Sequence, residues 1–276
     1  MERLPKEIVI HILSFLNFKE LISMERVNHF FEKMIKMESW NHLTVVMITY
    51  LRNNFLFEVN YRSIKKFLEN HHFSCYDFSE CVVDDALLTS IHGCQFLDLS
   101  ICQGLSYHVF NELANNNKFK SIALGGLKIG SDALKAFKEC DDISLAFCDR
   151  LTDMDIPKQM NCVKIDLSNC NNLTDNCLQS FTKCKFVYLQ YSKFTDVGIS
   201  ALINCEALFI DGCNVTGSAF SSLPKLRVVS ATECHNLQDR YIKDLKHCKR
   251  INLLDCPLVS QNSVDELRQL GIRVFK

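Results

Sequence analysis

Cys162-Val-Lys-Ile165-Asp-Leu167-Ser-Asn-Cys170-Asn-Asn-Leu173-Thr174-Asp175 restates Cys140-Asp-Asp-Ile143-Ser-Leu145-Ala-Phe-Cys148-Asp-Arg-Leu151-Thr152-Asp153 at a distance of 22 residues. Working outward from this pair, units begin near positions 73, 94, 119, 140, 162, 184, 205, 226 and 248, at intervals of 21 to 25 residues. In each unit apolar residues stand three and five positions after the start, as in Leu97 and Leu99, Val187 and Leu189, Leu208 and Ile210, or Ile251 and Leu253. Successive side chains leave a strand on opposite faces, so this alternation predicts a short strand with one face buried. A unit so small cannot bury its apolar face alone. Neighbours must stack, and the expected fold is an α/β solenoid with a parallel inner sheet and outer helices.

The same period accounts for the cysteines. Eight positions after the start stand Cys81, Cys102, Cys148, Cys170, Cys213, Cys234 and Cys256, and at the start itself stand Cys94, Cys140, Cys162, Cys184, Cys205 and Cys248. Of the fifteen only Cys75 and Cys177 are left over. An odd count in a chain of 276 residues without an apolar leader reads as reduced thiols rather than a disulfide scaffold. No Cys-x-x-Cys pair occurs, so a zinc site is not expected, and a small, weakly hydrogen-bonding side chain suits a strand-to-loop corner.

After the corner come one apolar residue and a polar pair, as in Leu173-Thr174-Asp175 or Phe194-Thr195-Asp196, and then a segment such as Leu178-Gln-Ser-Phe181. Thr and Asp oxygens accept from free backbone N–H groups at a helix start, so each unit is expected to run strand, corner, helix. This pattern resembles the cysteine-containing class of leucine-rich repeats, Leu-x-x-Cys-x-x-Leu-Thr-Asp, over roughly residues 73–270. The resemblance implies a right-handed horseshoe. Departures are Leu127 and Ser192 at the cysteine position, extra residues around Asn115-Asn116-Asn117, and Pro157, which breaks one helix. Ile272-Arg273-Val274-Phe275 is expected to form a last strand, and residues 41–72 a linker and irregular capping unit with strand residues Leu43 and Val45.

Residues 1–40 follow a different period. Leu4, Ile8, Ile12, Phe15 and Leu16 recur at helical spacing, as do Val27, Phe30, Phe31 and Met34. Leu4-Pro5-Lys-Glu7-Ile8, Ile12-Leu13-Ser-Phe15-Leu16, Leu21, Val27, Phe30 or Phe31, and Trp40 resemble an F-box, with Val27-Asn28-His29-Phe30 departing modestly where that family has Val-Cys. The expected division is an F-box helical segment at 1–40, the capping stretch at 41–72 and repeats over 73–276. About 40 residues cannot cover all their own apolar side chains, so a partner is expected to take the remainder. The resemblance implies that this partner is the Skp-type adaptor of SCF ubiquitin ligases, met by Leu4, Pro5, Ile8, Ile12, Leu16, Leu21 and Val27, with a cullin reached through it. Capping of the repeat stack by these residues is the alternative.

Strand residues two, four and six positions after each start must point away from the core. Among them Phe186, Tyr188 and Phe209 form an aromatic cluster, with Tyr188 and Phe209 expected about 5 Å apart on adjacent strands. Lys164, Asp166, Gln190, Asp211 and Arg250 make a mixed polar rim. Exposed aromatic clusters mark binding surfaces, so a protein target is expected on this concave face, whereas Asp77, Asp98 and Asp166, which share one row, read as a solvated acidic edge.

Composition narrows the alternatives. A net charge of −1, with no long run of one sign, lacks the basic footprint of a nucleic-acid binder, and no apolar stretch reaches membrane-spanning length. A cytoplasmic or nuclear protein is expected. No Gly-rich phosphate loop, metal set or cofactor motif occurs, and a cysteine nucleophile would have to be Cys75 or Cys177, the latter expected to face outward or sideways on its helix beside Leu178. The principal expectation is a non-catalytic substrate receptor. A scaffold or decoy that binds the adaptor or a target without ubiquitin transfer is the second, and a thiol enzyme the third.

Overall fold

The computed structural model describes residue 69, residues 74–106 and residues 108–276. Leu4, Pro5, Ile8, Ile12, Leu16, Leu21 and Val27, and the capping unit with Leu43 and Val45, lie outside the described residues. The chain divides into two units, residues 1–121 and 122–276.

In the first unit, strand β1 (Cys75–Asp77) pairs in parallel with β2 (Phe96–Asp98), with Tyr76 opposite Leu97. Each strand is followed by a helix, α1 (Asp85–Leu88) and α2 (Val109–Asn116). The extra residues of this repeat have a purpose. Asn117, nearly fully buried, accepts from the Cys94 N–H at 2.8 Å and donates to the carbonyls of Ile91 and Leu113, which satisfies both ends of its amide inside the core.

β3 (Ser121–Ala123) leads into the second unit, where α3 (Ser131–Ala136) precedes β4 (Asp142–Ser144). There β4, β5 (Lys164–Asp166), β6 (Phe186–Tyr188), β7 (Ala207–Phe209), β8 (Val228–Ser230), β9 (Arg250–Asn252) and β10 (Arg273–Phe275) pair consecutively, all parallel. The register brings equivalent repeat positions side by side, and the last strand forms where the sequence places it. Ile143, Ile165, Val187, Leu208, Val229 and Ile251, the middle residues of β4 to β9, are fully covered, as are the residues two places on, Leu145 to Leu253.

The other side of each repeat is shorter than the expected helix. Between strands lie α4 (Asp196–Ile199), α5 (Asp239–Ile242) and α6 (Gln261–Gln269), with 3-10 turns at Asp175–Phe181, Ser218–Ser222 and Lys243–Leu245. The segment between β4 and β5, which contains Pro157, has no helix. Apart from the nine-residue α6, a period near 22 residues leaves room after strand and corner for only one or two turns, and the tighter 3-10 geometry spans the same rise with fewer residues.

Two ladders join consecutive repeats. In the first, the corner thiol donates to the carbonyl of the second buried strand residue in the repeat before it. Cys102 bonds Phe78, Cys148 bonds Leu124, Cys170 bonds Leu145, Cys213 bonds Leu189, Cys234 bonds Ile210 and Cys256 bonds Ala231, at 2.9 to 3.3 Å. Ser192, the departure from cysteine, makes the same bond through its hydroxyl to Leu167 at 3.0 Å. The departure in sequence is therefore no departure in chemistry.

In the second ladder an aspartate shortly after the corner accepts from both the backbone N–H and the hydroxyl of the Ser or Thr one repeat later. The pairs are Asp85 with Ser106, Asp153 with Thr174, Asp175 with Thr195, Asp196 with Thr216, and Asp239 with Ser260. Thr174 and Thr195 cap their own helices, as expected, but the aspartates serve the neighbouring repeat. At Asp239 burial works against the charged form, yet the Ser260 N–H and the Ser263 and Ser260 hydroxyls outweigh it and hold the carboxyl below its ordinary range.

Gly198 shows how closely the outer layers approach. A Cβ there would lie 2.8 Å from the Asp175 Cα, so the neighbouring backbone would have to move. Gly198→Ala is expected to destabilise the protein by about 1–3 kcal/mol through overpacking, despite alanine's better helix propensity. Urea unfolding measures it, and an unchanged midpoint would show that the layers yield without cost.

Candidate functional site

On the sheet face turned away from the core, Tyr188 and Phe209 stand side by side on β6 and β7 with ring centroids 4.3 Å apart and planes within 4°. Parallel strands in register force this, since residues opposite one another lie one strand spacing apart. Phe186, 39% exposed, sits opposite both Lys164 and Ala207 on its two neighbours. Ala207, which is buried, and the half-buried Val228 continue the same row across β7 and β8. Neither had a sequence signal beyond its repeat position, because small aliphatic residues do not stand out singly as a binding surface.

The polar residues around the patch are largely engaged with one another. Lys164 Nζ lies 3.0 Å from Asp142 Oδ2 and 5.6 Å from the Tyr188 ring centroid. Asp166 accepts from the Ser168 N–H at 2.9 Å, and Gln190 Oε1 accepts from the Ser168 hydroxyl at 2.8 Å. Asp211 accepts from the Ser230 hydroxyl at 2.6 Å and the Thr232 N–H at 2.7 Å. These groups therefore brace the strands as well as lining the face. Arg250 differs. Its guanidinium lies 5.3 Å from the Phe275 ring centroid, and it has no carboxylate partner among the described residues.

The two cysteines outside the repeat pattern have different surroundings. Cys177, expected to face outward or sideways, is instead 3% exposed, and burial followed by Asp153 pushes its thiol well up. The reason is the 3-10 turn at Asp175–Phe181, whose tighter winding rotates this position inward. Cys75 is half-buried on the open face, where burial and then Asp77 and Asp98 raise its thiol. A raised thiol holds less of the thiolate that a nucleophile needs. Among the described residues no group of three His, Cys, Asp or Glu side chains is placed to hold a metal ion, and no helix is long and apolar enough to cross a membrane.

Comparison with known proteins adds the amino-terminal region. Residues 1–45 match the family model described as F-box-like. No curated protein sequence matches the chain. Among solved structures, the TLR13–ssRNA13 complex matches at a TM-score of 0.53 and 16% identity, over 77% of this chain and 33% of that one, a likeness of fold alone. The yeast Rad7–Elc1 complex matches at 0.48 and 12% identity, over 73% and 68% of the two chains. An octameric complex of Latrophilin 3, Unc5D and FLRT2 (LRR) matches at 0.40 and 14%, over 75% and 83%. The period of about 22 residues, the parallel strands and the corner-thiol ladder are on the other hand features of the chain itself. With an F-box-like region at residues 1–45 and stacked repeats of the cysteine-containing class behind it, the chain has the organisation of an F-box/leucine-rich-repeat protein.

Proposed function

We propose that this chain is the substrate-recognition subunit of an SCF-type ubiquitin ligase. In this reading residues 1–40 dock a Skp-type adaptor, and through it a cullin, by way of Leu4, Pro5, Ile8, Ile12, Leu16, Leu21 and Val27. Residues 41–72 form the connection, and the repeats over 73–276 hold a protein target on their open sheet face. The observation that carries the proposal is the match of an F-box-like region in the same chain as a repeat stack with an aromatic patch on that face. The protein does no chemistry of its own. It raises the local concentration of the target beside a ubiquitin-charged enzyme, which converts a bimolecular encounter into one within a complex. Work in the cytosol or nucleus fits this role.

The test is co-purification of the full chain with adaptor and cullin, followed by reconstituted ubiquitin transfer to a captured protein. Recovery of the adaptor without any transfer would favour a scaffold or decoy. Tyr188→Ala with Phe209→Ala is expected to lower target capture at least about tenfold while leaving adaptor recovery unchanged, because stacked aromatic anchors dominate protein interfaces. Quantitative mass spectrometry of the captured proteins provides the measurement, and wild-type recovery would place the target elsewhere.

A further inference from the structure

β10 places Arg273 directly opposite Arg250 of β9, on the open face and at the end of the stack. Like charges opposite one another on adjacent strands repel, and a fold with no use for them would be expected to alternate the sign. Neither arginine has a carboxylate partner among the described residues, whereas Lys164, at the other side of the aromatic patch, is paired with Asp142. Both arginines are exposed, and the Arg250 guanidinium lies 5.3 Å from the Phe275 ring centroid. A pair of exposed arginines is suited to bidentate recognition of carboxylate or phosphoryl oxygens.

We propose that this face takes an extended peptide whose apolar anchor rests on Phe186, Tyr188 and Phe209 and whose anionic side chains reach Arg250 and Arg273. This rests on the reading of the open face as the target site and names the class of target. The spacing follows from the sheet. β7 and β9 are two strand spacings apart and β6 and β10 four, so the two subsites lie roughly 10–19 Å from each other. An extended chain covers about 3.3 Å per residue, which separates anchor and acidic residues by about three to six positions. A peptide is favoured over a nucleic acid because Asp142, Asp166 and Asp211 share the face and would repel a continuous phosphate track.

The full chain is tested by fluorescence polarisation against synthetic ten-residue peptides bearing one tryptophan and, four residues on, three glutamates, three lysines or three phosphoserines. The glutamate peptide is expected to bind at least tenfold more tightly than the lysine peptide, with the preference shrinking as salt is raised. A tighter phosphoserine peptide would identify the phosphoryl group as the preferred source of the same charge. Arg250→Glu and Arg273→Glu, each alone, are expected to abolish the preference, whereas Lys225→Glu, the same charge change at an exposed side chain bonded to Asn204, leaves it intact. Because Arg273→Glu removes a repulsion, it is also expected to raise the unfolding midpoint, which a purely structural arginine would lower. The proposal is overturned if the glutamate and lysine peptides bind alike, if neither binds, or if a single-stranded oligonucleotide binds more tightly than either. Equal binding of both peptides that is lost in Tyr188→Ala with Phe209→Ala would remove the charge class and leave the target-site reading standing.

Discussion

Replacing Asp196 with alanine is expected to destabilise the protein by about 2–4 kcal/mol, more than any other single polar substitution in the ladder. Its two oxygens accept from the backbone N–H groups of Thr216, Gly217 and Ala219 at 2.7, 3.0 and 3.1 Å, and from the Thr216 hydroxyl at 2.9 Å. Every one of these donors belongs to the next repeat, so the carboxylate spans an interface rather than stabilising its own helix. Alanine leaves three N–H groups without their partner, each at a cost of about 1–3 kcal/mol if kept dry. The site is only half-buried, and water recovers part of that, which limits the total. In a stack held by nearest-neighbour contacts a weakened junction is felt by the repeats on both sides, so the unfolding slope should change along with the midpoint. Val197→Ala, at a neighbouring side chain that is 74% exposed, is the control and is expected to cost under about 0.5 kcal/mol. A loss below about 1 kcal/mol for Asp196→Ala would mean that solvent replaces the carboxylate well enough to make the ladder incidental.

Adaptor capture is expected to fall at least about a hundredfold in Leu4→Ala with Pro5→Ala. Truncating a leucine that leaves water on binding removes about 2–3 kcal/mol, and each 1.4 kcal/mol is a factor of ten in affinity. Loss of the proline is expected to add to this, because a ring that fixes φ at about −65° suits the first turn of the helix that the sequence spacing predicts there. Unfolding of the repeats should be unaffected, and the peptide preference at Arg250 and Arg273 should persist. Surface-immobilised adaptor and purified full-length chain give the affinity directly. Capture at the wild-type level would count against docking through residues 1–40 and in favour of the same residues merely capping the stack.

How far the sequence could be read differs between the two faces of a repeat. The buried positions were legible because alternation is a local rule, and Ile165 and Leu167 behave as their spacing implies whatever surrounds them. So was the stack of Tyr188 on Phe209, since equal repeat lengths put equal positions side by side. Arg273 and Phe275 were legible as strand residues and unread as a site, although extending the rows of Arg250 and Asn252 by one repeat would have found them. The outer layer was less legible. Cys177 turned inward because a 3-10 turn, not an α-helix, winds that segment, and the energy difference between the two over seven residues is too small for composition to decide. Nor could propensity foresee the corner conformation. In all nine repeats the residue before the cysteine position has positive φ, including Ile101, Phe147 and Tyr191, which ordinarily avoid it.

By itself the sequence determined the repeat period, the strands, the buried face and the cysteine positions, all of which follow from spacing within one unit. Only the tertiary structure decided what each polar side chain bonds. The thiols reach the carbonyl of the repeat before, the aspartates reach the cap of the repeat after, and Arg250 meets Arg273. Hydrogen bonds and charge contacts act over a few ångströms, and in a stacked chain the atoms at that distance are about one full turn, some 20 to 25 residues, away in sequence.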